Sequence, residues 1–290
     1  MIAEIFGNIR KLRIILLVMV ASFGDISANA AWAAEVAIPN FWDPRERLAR
    51  PDLSTLPRLR FLTTTDFPPF NFIDREKRLT GFNVELARAI CAELGVLPRC
   101  QIQALPWDEL ADALARGVGD AAIAAVETTA ANRAKFEFSR AYLRIPARFV
   151  ARKSDAIAEP MHQQVLLATT GLIEGSGHQK WFATAFAAAR TQAFATRQEA
   201  LTALKAGKIG LVFSDAVSLS YWLQSDDAAG CCQWAGGAYF GEGNFSDSLA
   251  IAFPRGQTAL ADAADYALKE LSDKGVFAEI YLRYFPQGLY

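Results

Sequence analysis

The chain has 290 residues, 52% of them hydrophobic and 21% charged, a composition that excludes a disordered or collagen-like chain. Thirty basic against thirty-one acidic side chains leave a net charge of −1, which excludes the broad positive field that nucleic acid requires of a partner. Four cysteines in so long a chain exclude a disulfide-dense miniature scaffold.

Arg10, Lys11 and Arg13 precede the apolar run Ile14–Ala21, and Ala28-Asn29-Ala30 and Ala31-Trp32-Ala33 follow as candidate cleavage sites. A basic segment, a short apolar run and an Ala-x-Ala site make a secretory signal peptide, assigned to residues 1–33. The run is far below the roughly 20 apolar residues of a membrane span. No cysteine precedes Cys91, so the exported protein is expected to carry no lipid anchor. Residues 34–56, rich in proline and charge, show neither strand nor helix period and are expected to form an arm on the surface.

From Leu59 short apolar runs alternate with helical patterns. Leu59–Thr64 reads as a strand, and a Pro68-Pro69 turn and a polar hairpin-like stretch through Asp74–Arg78 follow. Phe82, Leu86, Ala89 and Ile90 then recur at helical spacing. Gln101–Ala104 is a strand, Trp107–Arg116 a helix and Ala121–Val126 a buried strand. Ala147–Ala151 and Val165–Thr169 read as strands, His178–Arg190 as a helix, Gln192–Thr196 as a strand and Gln198–Ala206 as a helix. Leu211–Ser214 and Leu249–Phe253 are further strands. Leu260, Ala264, Leu268 and Leu271 draw an amphipathic helix stopped by Gly275. Strands alternating with helices predict an α/β fold on mainly parallel sheets. The pattern restarts after residue 165, which predicts two lobes with a cleft between them.

Ligands of open α/β sheets sit beyond the carboxyl ends of strands, so the residues after Thr64, Val126, Thr170 and Phe213 are the informative ones. After the first strand, Phe67 and Phe70 either wall a pocket or plug the end of the lobe. After the third, Glu127-Thr128-Thr129 precedes a helix that either threonine can cap. The loop Gly171–Gly177 offers backbone N–H groups and the Ser176 hydroxyl, but lacks the lysine of a nucleotide-phosphate loop. Asp215 suits a ligand ammonium or a helix N-cap. No Gly-x-Ser-x-Gly elbow occurs, and neither His162 nor His178 stands in a catalytic motif or at zinc-ligand spacing to the cysteines. No catalytic residue, metal or cofactor is expected. Exported cysteines tend to pair. Cys91 and Cys100 can be bridged if the geometry permits. Cys231 and Cys232 are open to a mutual bridge, to pairing elsewhere, or to the reduced state.

Taken together, Leu59–Phe70, Leu79–Ala87, Trp107-Asp108-Glu109-Leu110, Gly175-Ser176, Ala206–Ile209 with Asp215, and Asp273–Phe277 with Tyr281, Tyr284 and Phe285 resemble the family 3 extracellular solute-binding proteins. The resemblance spans about residues 57–286. These periplasmic receptors feed polar amino acids and related solutes to ABC transporters. The resemblance implies a two-lobed periplasmic-binding-protein-like fold, each lobe a sheet flanked by helices, joined by two hinge crossovers. Lobe 1 would hold residues 57–145 and 249–290, and lobe 2 residues 146–248. It implies a monomer in the periplasm, with a small-molecule solute and an ABC transporter permease as partners. Phe67 and Trp107 match aromatic positions that sandwich the ligand side chain, Ser176 a carboxylate contact, and Asp215 the acid that binds the α-ammonium. Cys91 and Cys100 fall where some relatives carry a disulfide. The fold also hosts accessory or sensory partners of secreted enzymes and the cyclohexadienyl dehydratases.

The departures from the family pattern are local. In its Ser-x-Thr-x-x-Arg motif the threonine is Thr129, Glu127 stands at the serine, and the arginine comes one residue late, at Arg133. One helical residue is a rotation of about 100°. Thr64 stands where receptors for basic amino acids carry an aspartate. Glu127, Asp215 and Asp66 make the expected cleft acidic, which points to a cationic or amine-bearing solute.

Overall fold

The computed structural model describes residues 36–290 other than 125, 127, 129, 156, 158, 242–244, 246 and 247. The signal segment, Glu127 and Thr129 lie outside the described residues. The first strand, β1 (Leu59–Thr63), turns Phe61 and Leu62 to opposite faces, as the two-residue period of a strand demands. A small antiparallel sheet follows, made of β2 (Asp66–Phe67), β3 (Asn71–Ile73) and β4 (Leu79–Thr80). Helix α1 (Phe82–Glu93) buries Phe82, Leu86 and Ile90 on one side. Next come β5 (Cys100–Ala104), α2 (Trp107–Ala115), β6 (Ala121–Ala122), α3 (Ala130–Arg133) and β7 (Phe136–Phe138).

The chain leaves this lobe through β8 (Leu143–Arg144) and enters the next with β9 (Ala147–Arg152). The second lobe contains α4 (Met161–Leu167), β10 (Thr169–Ile173), α5 (Gly177–Ala185), β11 (Arg190–Phe194), α6 (Arg197–Lys205), β12 (Leu211–Asp215), α7 (Ala216–Gln224) and β13 (Cys232–Tyr239). The return path carries β14 (Ser248–Leu249), then β15 (Ala252–Pro254), α8 (Thr258–Asp273) and α9 (Val276–Tyr284).

The two principal sheets run β5-β1-β6-β15-β7 and β11-β10-β12-β9-β13. In each, the strands joined by successive helices pair in parallel, and the strands beside the crossovers pair antiparallel. Both faces of both sheets are covered. Phe61, Ala121 and Phe253 join the core under α1, α8 and α9, whereas Leu62, Ala122 and Ala252 join the one under α2. In the second lobe Phe149, Leu211 and Phe213 face one core and Val150 and Val212 the other. The two crossovers pair with each other, Leu143 opposite Leu249 and Arg144 opposite Ser248. That short ribbon joins the lobes.

Several expected boundaries move. Val165–Leu167 belongs to a helix, since Val165 is fully buried while Leu167 is 69% exposed, the one-sided burial of a helix rather than of a central strand. The helix expected over His178–Arg190 stops at Ala185, where Phe186 leaves helical backbone geometry, and the next strand begins four residues later, at Arg190. Its apolar-rich sequence reads as helix because alanine favours helix wherever packing allows. The expected strand Leu249–Phe253 is split: Leu249 serves the crossover ribbon and Ala252 the sheet.

The arm does more than lie on the surface. Trp42 enters the core of the first lobe, and Leu48, Leu53 and Leu56 pack against that core. Arg140 covers the Trp42 ring at 5.2 Å and grips the Glu46 carboxylate with both terminal nitrogens, at 2.5 and 2.6 Å. Its backbone N–H donates to Asp265 Oδ1 at 2.7 Å. Burial pushes the Asp265 carboxyl up to about 6, against the lowering effect of Arg140. The unfolded chain releases that proton near pH 4 (about 3.9 for a free aspartate). Ionised Asp265 therefore costs stability that grows as pH rises from about 4 to about 6 and is constant above. Asp265→Asn keeps an oxygen for the Arg140 N–H. It is expected to raise Tm over the parent at about pH 8, with the advantage fading toward about pH 4. Calorimetry across that range checks this, and a lower Tm for the variant at pH 8 contradicts it.

Candidate functional site

The site begins where β1 ends. The loop after it carries Phe67, whose ring stacks on Phe70 at 4.8 Å and 19°. Phe70 is fully buried and packs against Phe82 and Phe285, so Phe67 is the outer layer of an aromatic stack rooted in the core. The loop's carbonyls supply the N-terminal cap of α1: Phe82 N–H donates to Pro69 O at 2.9 Å and Asn83 N–H to Phe70 O at 2.8 Å. These satisfy donors that a helix start leaves open. So close an approach is possible because Gly81, at φ +126°, has no Cβ; one placed there would lie 2.3 Å from Phe70 O.

A buried chain of side-chain hydrogen bonds holds the same loop. Tyr142 Oη donates to Asn83 Oδ1 at 2.8 Å, Asn83 Nδ2 to Asn71 Oδ1 at 2.9 Å, and Asn71 Nδ2 to Thr64 Oγ1 at 2.7 Å. Burial raises the Tyr142 phenol well above its usual range, so it stays a neutral donor. Thr64 is 2% exposed, and its hydroxyl is spent inside the lobe. The Cys91–Cys100 disulfide, with Cα atoms 6.1 Å apart, ties the end of α1 to the start of β5 beneath this assembly.

The second lobe contributes two helix heads. Ser176 is the N-cap of α5: its Oγ accepts from Gln179 N–H at 3.1 Å and donates to Ile173 O at 2.7 Å. His178, two residues on, stacks on Phe245 at 4.4 Å and 19°. Asp215 is the N-cap of α7, where Oδ1 accepts from Ser218 N–H at 2.8 Å. Asp215 Oδ2 accepts from Arg197 Nη2 at 2.7 Å and from Ser214 Oγ at 3.3 Å. Of the two roles the sequence offered for Asp215, the N-cap is present on Oδ1, while Oδ2 is held by Arg197 and Ser214.

Phe67, Pro68, Phe70, Ile145, His178, Asp215, Val217, Ser218 and Phe245 enclose a cavity of about 310 Å³. It draws on the first lobe's aromatic loop, the first crossover, and the helix heads and Phe245 of the second lobe, and its walls are apolar except at His178, Asp215 and Ser218. A cavity of this size holds a small solute. Beside it, sharing Pro68, Val217 and Ser218, a wider trough of about 500 Å³ runs between α6 and α7 past Arg197.

Of the residues expected at the ligand, Phe67 and Asp215 meet in the cavity. Trp107, at the first position of α2, is 53% exposed and outside the cavity lining. Arg133 is exposed; its Nε donates to Thr128 O at 3.2 Å and its guanidinium lies 5.7 Å from the Phe138 ring centre. Ser176 spends its hydroxyl on capping. His178, Ser218 and Phe245 were not singled out as site residues from the sequence. Ser218 carried a signal, lying three residues after Asp215 at N-cap spacing. Cys231 and Cys232 are bridged to each other at the start of β13, away from the cavity lining.

The family model for bacterial extracellular solute-binding proteins, family 3, matches residues 59–287. The arginine-binding periplasmic protein of Mannheimia haemolytica is 26% identical over 215 residues, 74% of this chain and 86% of the relative. The L-arginine-binding protein of Pseudomonas aeruginosa is 27% identical over 231 residues, 77% of this chain and 86% of the relative. Among solved structures, the second substrate binding domain of a putative amino acid ABC transporter from Streptococcus pneumoniae superposes with a TM-score of 0.67. It is 23% identical and covers 79% of this chain and all of that one.

The Phe67 loop depends on glycine at 81. Gly81→Ala forces the Phe70 carbonyl aside at a φ that L-residues rarely adopt, with an expected loss of about 2 kcal/mol or more. Urea unfolding measures it; a midpoint unchanged from the parent contradicts this account of the loop.

Proposed function

The chain belongs to the bacterial extracellular solute-binding proteins of family 3 and is a solute receptor; from this premise we propose that its solute is an amino acid or related amine. The solute is captured in the cavity beside Asp215 and handed to the permease of an ABC transporter. The observation that carries this reading is the meeting, in one cavity, of the Asp215 carboxylate from the second lobe and the Phe67–Phe70 stack from the first. A carboxylate receives a solute's ammonium through a charge-assisted hydrogen bond. An aromatic face packs against its side chain.

The lobes, residues 57–145 with 249–290 and residues 146–248, close on the solute by bending at the β8–β14 ribbon, a hinge of the kind such folds use. The receptor works as a monomer in the periplasm after its signal peptide is removed. It binds its solute without transforming it, with Asp215 held by Ser218 N–H and Arg197. Relatives named for arginine support an amino-acid solute.

Isothermal titration with the twenty amino acids and a set of biogenic amines tests the reading. At least one is expected to bind at a single site, with Phe67→Ala and Asp215→Asn each weakening it by on the order of 10-fold or more. Asparagine retains the N-cap, so Asp215→Asn probes charge rather than folding. Absence of binding by every amino acid and amine contradicts the proposal.

A further inference from the structure

Arg197 was not among the residues the sequence pointed to, yet it meets the carboxylate that defines the cavity. It stands at the first position of α6, with Nη2 on Asp215 Oδ2 at 2.7 Å and Nε on Ser214 Oγ at 3.3 Å. Its Nη1 amino group has no protein partner among the described residues. The pair lies at the join of the two voids: Asp215 lines the 310 Å³ cavity, Arg197 the 500 Å³ trough, and Ser218 and Val217 line both. Asp215 therefore does not offer a bare negative charge.

We propose that Arg197 is the residue that binds the solute's carboxylate, so that the solute is a zwitterionic α-amino acid with an uncharged, apolar side chain lying across the Arg197–Asp215 pair. The proposal rests on the reading that this cavity captures an amino acid. A solute with an ammonium alone must either displace Arg197, giving up its charge-assisted hydrogen bond to Asp215, or share Asp215 with it at close cation–cation range. Neither cost falls on a solute that brings a carboxylate for Arg197. An α-amino acid carries its ammonium and carboxylate on one carbon, so it meets the pair charge for charge. Its ammonium takes the open lone pair of Asp215, and its carboxylate takes the Nη1 hydrogens of Arg197. No net charge enters the cavity.

The walls select the side chain. Phe67, Phe70, Ile145, Val217 and Phe245 surround the cavity. Asp215 is the acid of its lining, and it is occupied on one oxygen by Ser218 N–H and on the other by Arg197. A second cation on the solute finds no free carboxylate there among the described residues. Arg133 is turned to Thr128 O and the Phe138 ring, while Arg197 holds Asp215 itself.

Titration of the intact mature chain with leucine, phenylalanine, arginine, and the decarboxylated amines isopentylamine and 2-phenylethylamine tests the proposal. Leucine or phenylalanine is expected to bind on the order of 10- to 100-fold more tightly than its decarboxylated amine, and more tightly than arginine. Arg197→Ala is expected to weaken the amino acid by on the order of 10-fold while leaving or improving the amine, and Arg197→Lys to recover part of the loss. The comparison of amino acid with amine on the unsubstituted protein stands even if Arg197→Ala fails to fold. Amine binding at least as tight as the parent amino acid overturns the proposal, and so does unchanged amino-acid affinity in Arg197→Ala. In either case binding itself persists, and solute capture stands. If none of these amino acids and amines binds, this inference falls; the full amino-acid and amine panel then decides whether solute capture falls with it.

Discussion

A carboxylate at the mouth of an apolar cleft is stable only when its charge is met, and Asp215 is met on both oxygens. Ser218 N–H holds one in the geometry of a helix cap, and Arg197 and Ser214 hold the other. This double anchoring explains why the acid stands at the end of β12, where the strand hands over to α7. It also explains why α6 must begin beside it, since Arg197 is that helix's first residue. With the Arg197 side chain 41% exposed, solvent screening holds the ion pair to about 1 kcal/mol or less, so its main effect is to fix geometry. The rotamer of Asp215 is fixed before any solute arrives, and a fixed acceptor binds with less loss of entropy than a mobile one.

The first lobe solves the opposite problem, holding an apolar surface at the cleft. Phe67 needs a rigid base, and the stack on Phe70 supplies it. The line of hydrogen bonds from Tyr142 through Asn83 and Asn71 to Thr64 fixes the loop from behind. Tyr142 immediately precedes the first crossover, so the loop that lines the cavity and the strand that joins the lobes share one buried network. At the hinge, Tyr290 accepts from Arg144 N–H at 3.2 Å and donates to Arg144 O, while its ring meets Phe41 and Phe240. Arg148, at the start of the second lobe, donates to Tyr290 O at 3.0 Å and to Gly236 O at 2.7 Å and covers Trp234. Burial pushes its guanidinium down to about 10, which still leaves it charged at neutral pH. Arm, tail and both crossovers thus converge on the joint between the lobes.

Much of the fold was legible because burial on both faces writes long apolar strands, as in Leu59–Thr63 and Leu211–Asp215. Val165–Leu167 misled because three apolar residues fit either period, and the helix shows only in their unequal exposure. Strand β13 escaped notice because Gly236 and Gly237 interrupt it, and glycine argues against a strand interior. Of the cavity lining, Asp215 was readable from its place at the carboxyl end of β12 and Phe67 from the segment just beyond β1. Arg197 was not, because it meets Asp215 across eighteen residues of chain and no local spacing records that contact. Trp107 stands exposed outside the cavity lining, and Arg133 holds its own loop. The acidity expected of the cleft is likewise altered where it can be seen, since Arg197 offsets Asp215.

One solute is expected to bind where Phe67 and Asp215 line the same cavity. A crystal structure of the protein with the solute that co-purifies with it is the decisive measurement. The predicted result is a solute nitrogen within hydrogen-bond distance of an Asp215 oxygen, with its side chain against the Phe67 ring. An ordered solute bound elsewhere, with the cavity between these two residues empty, would contradict it.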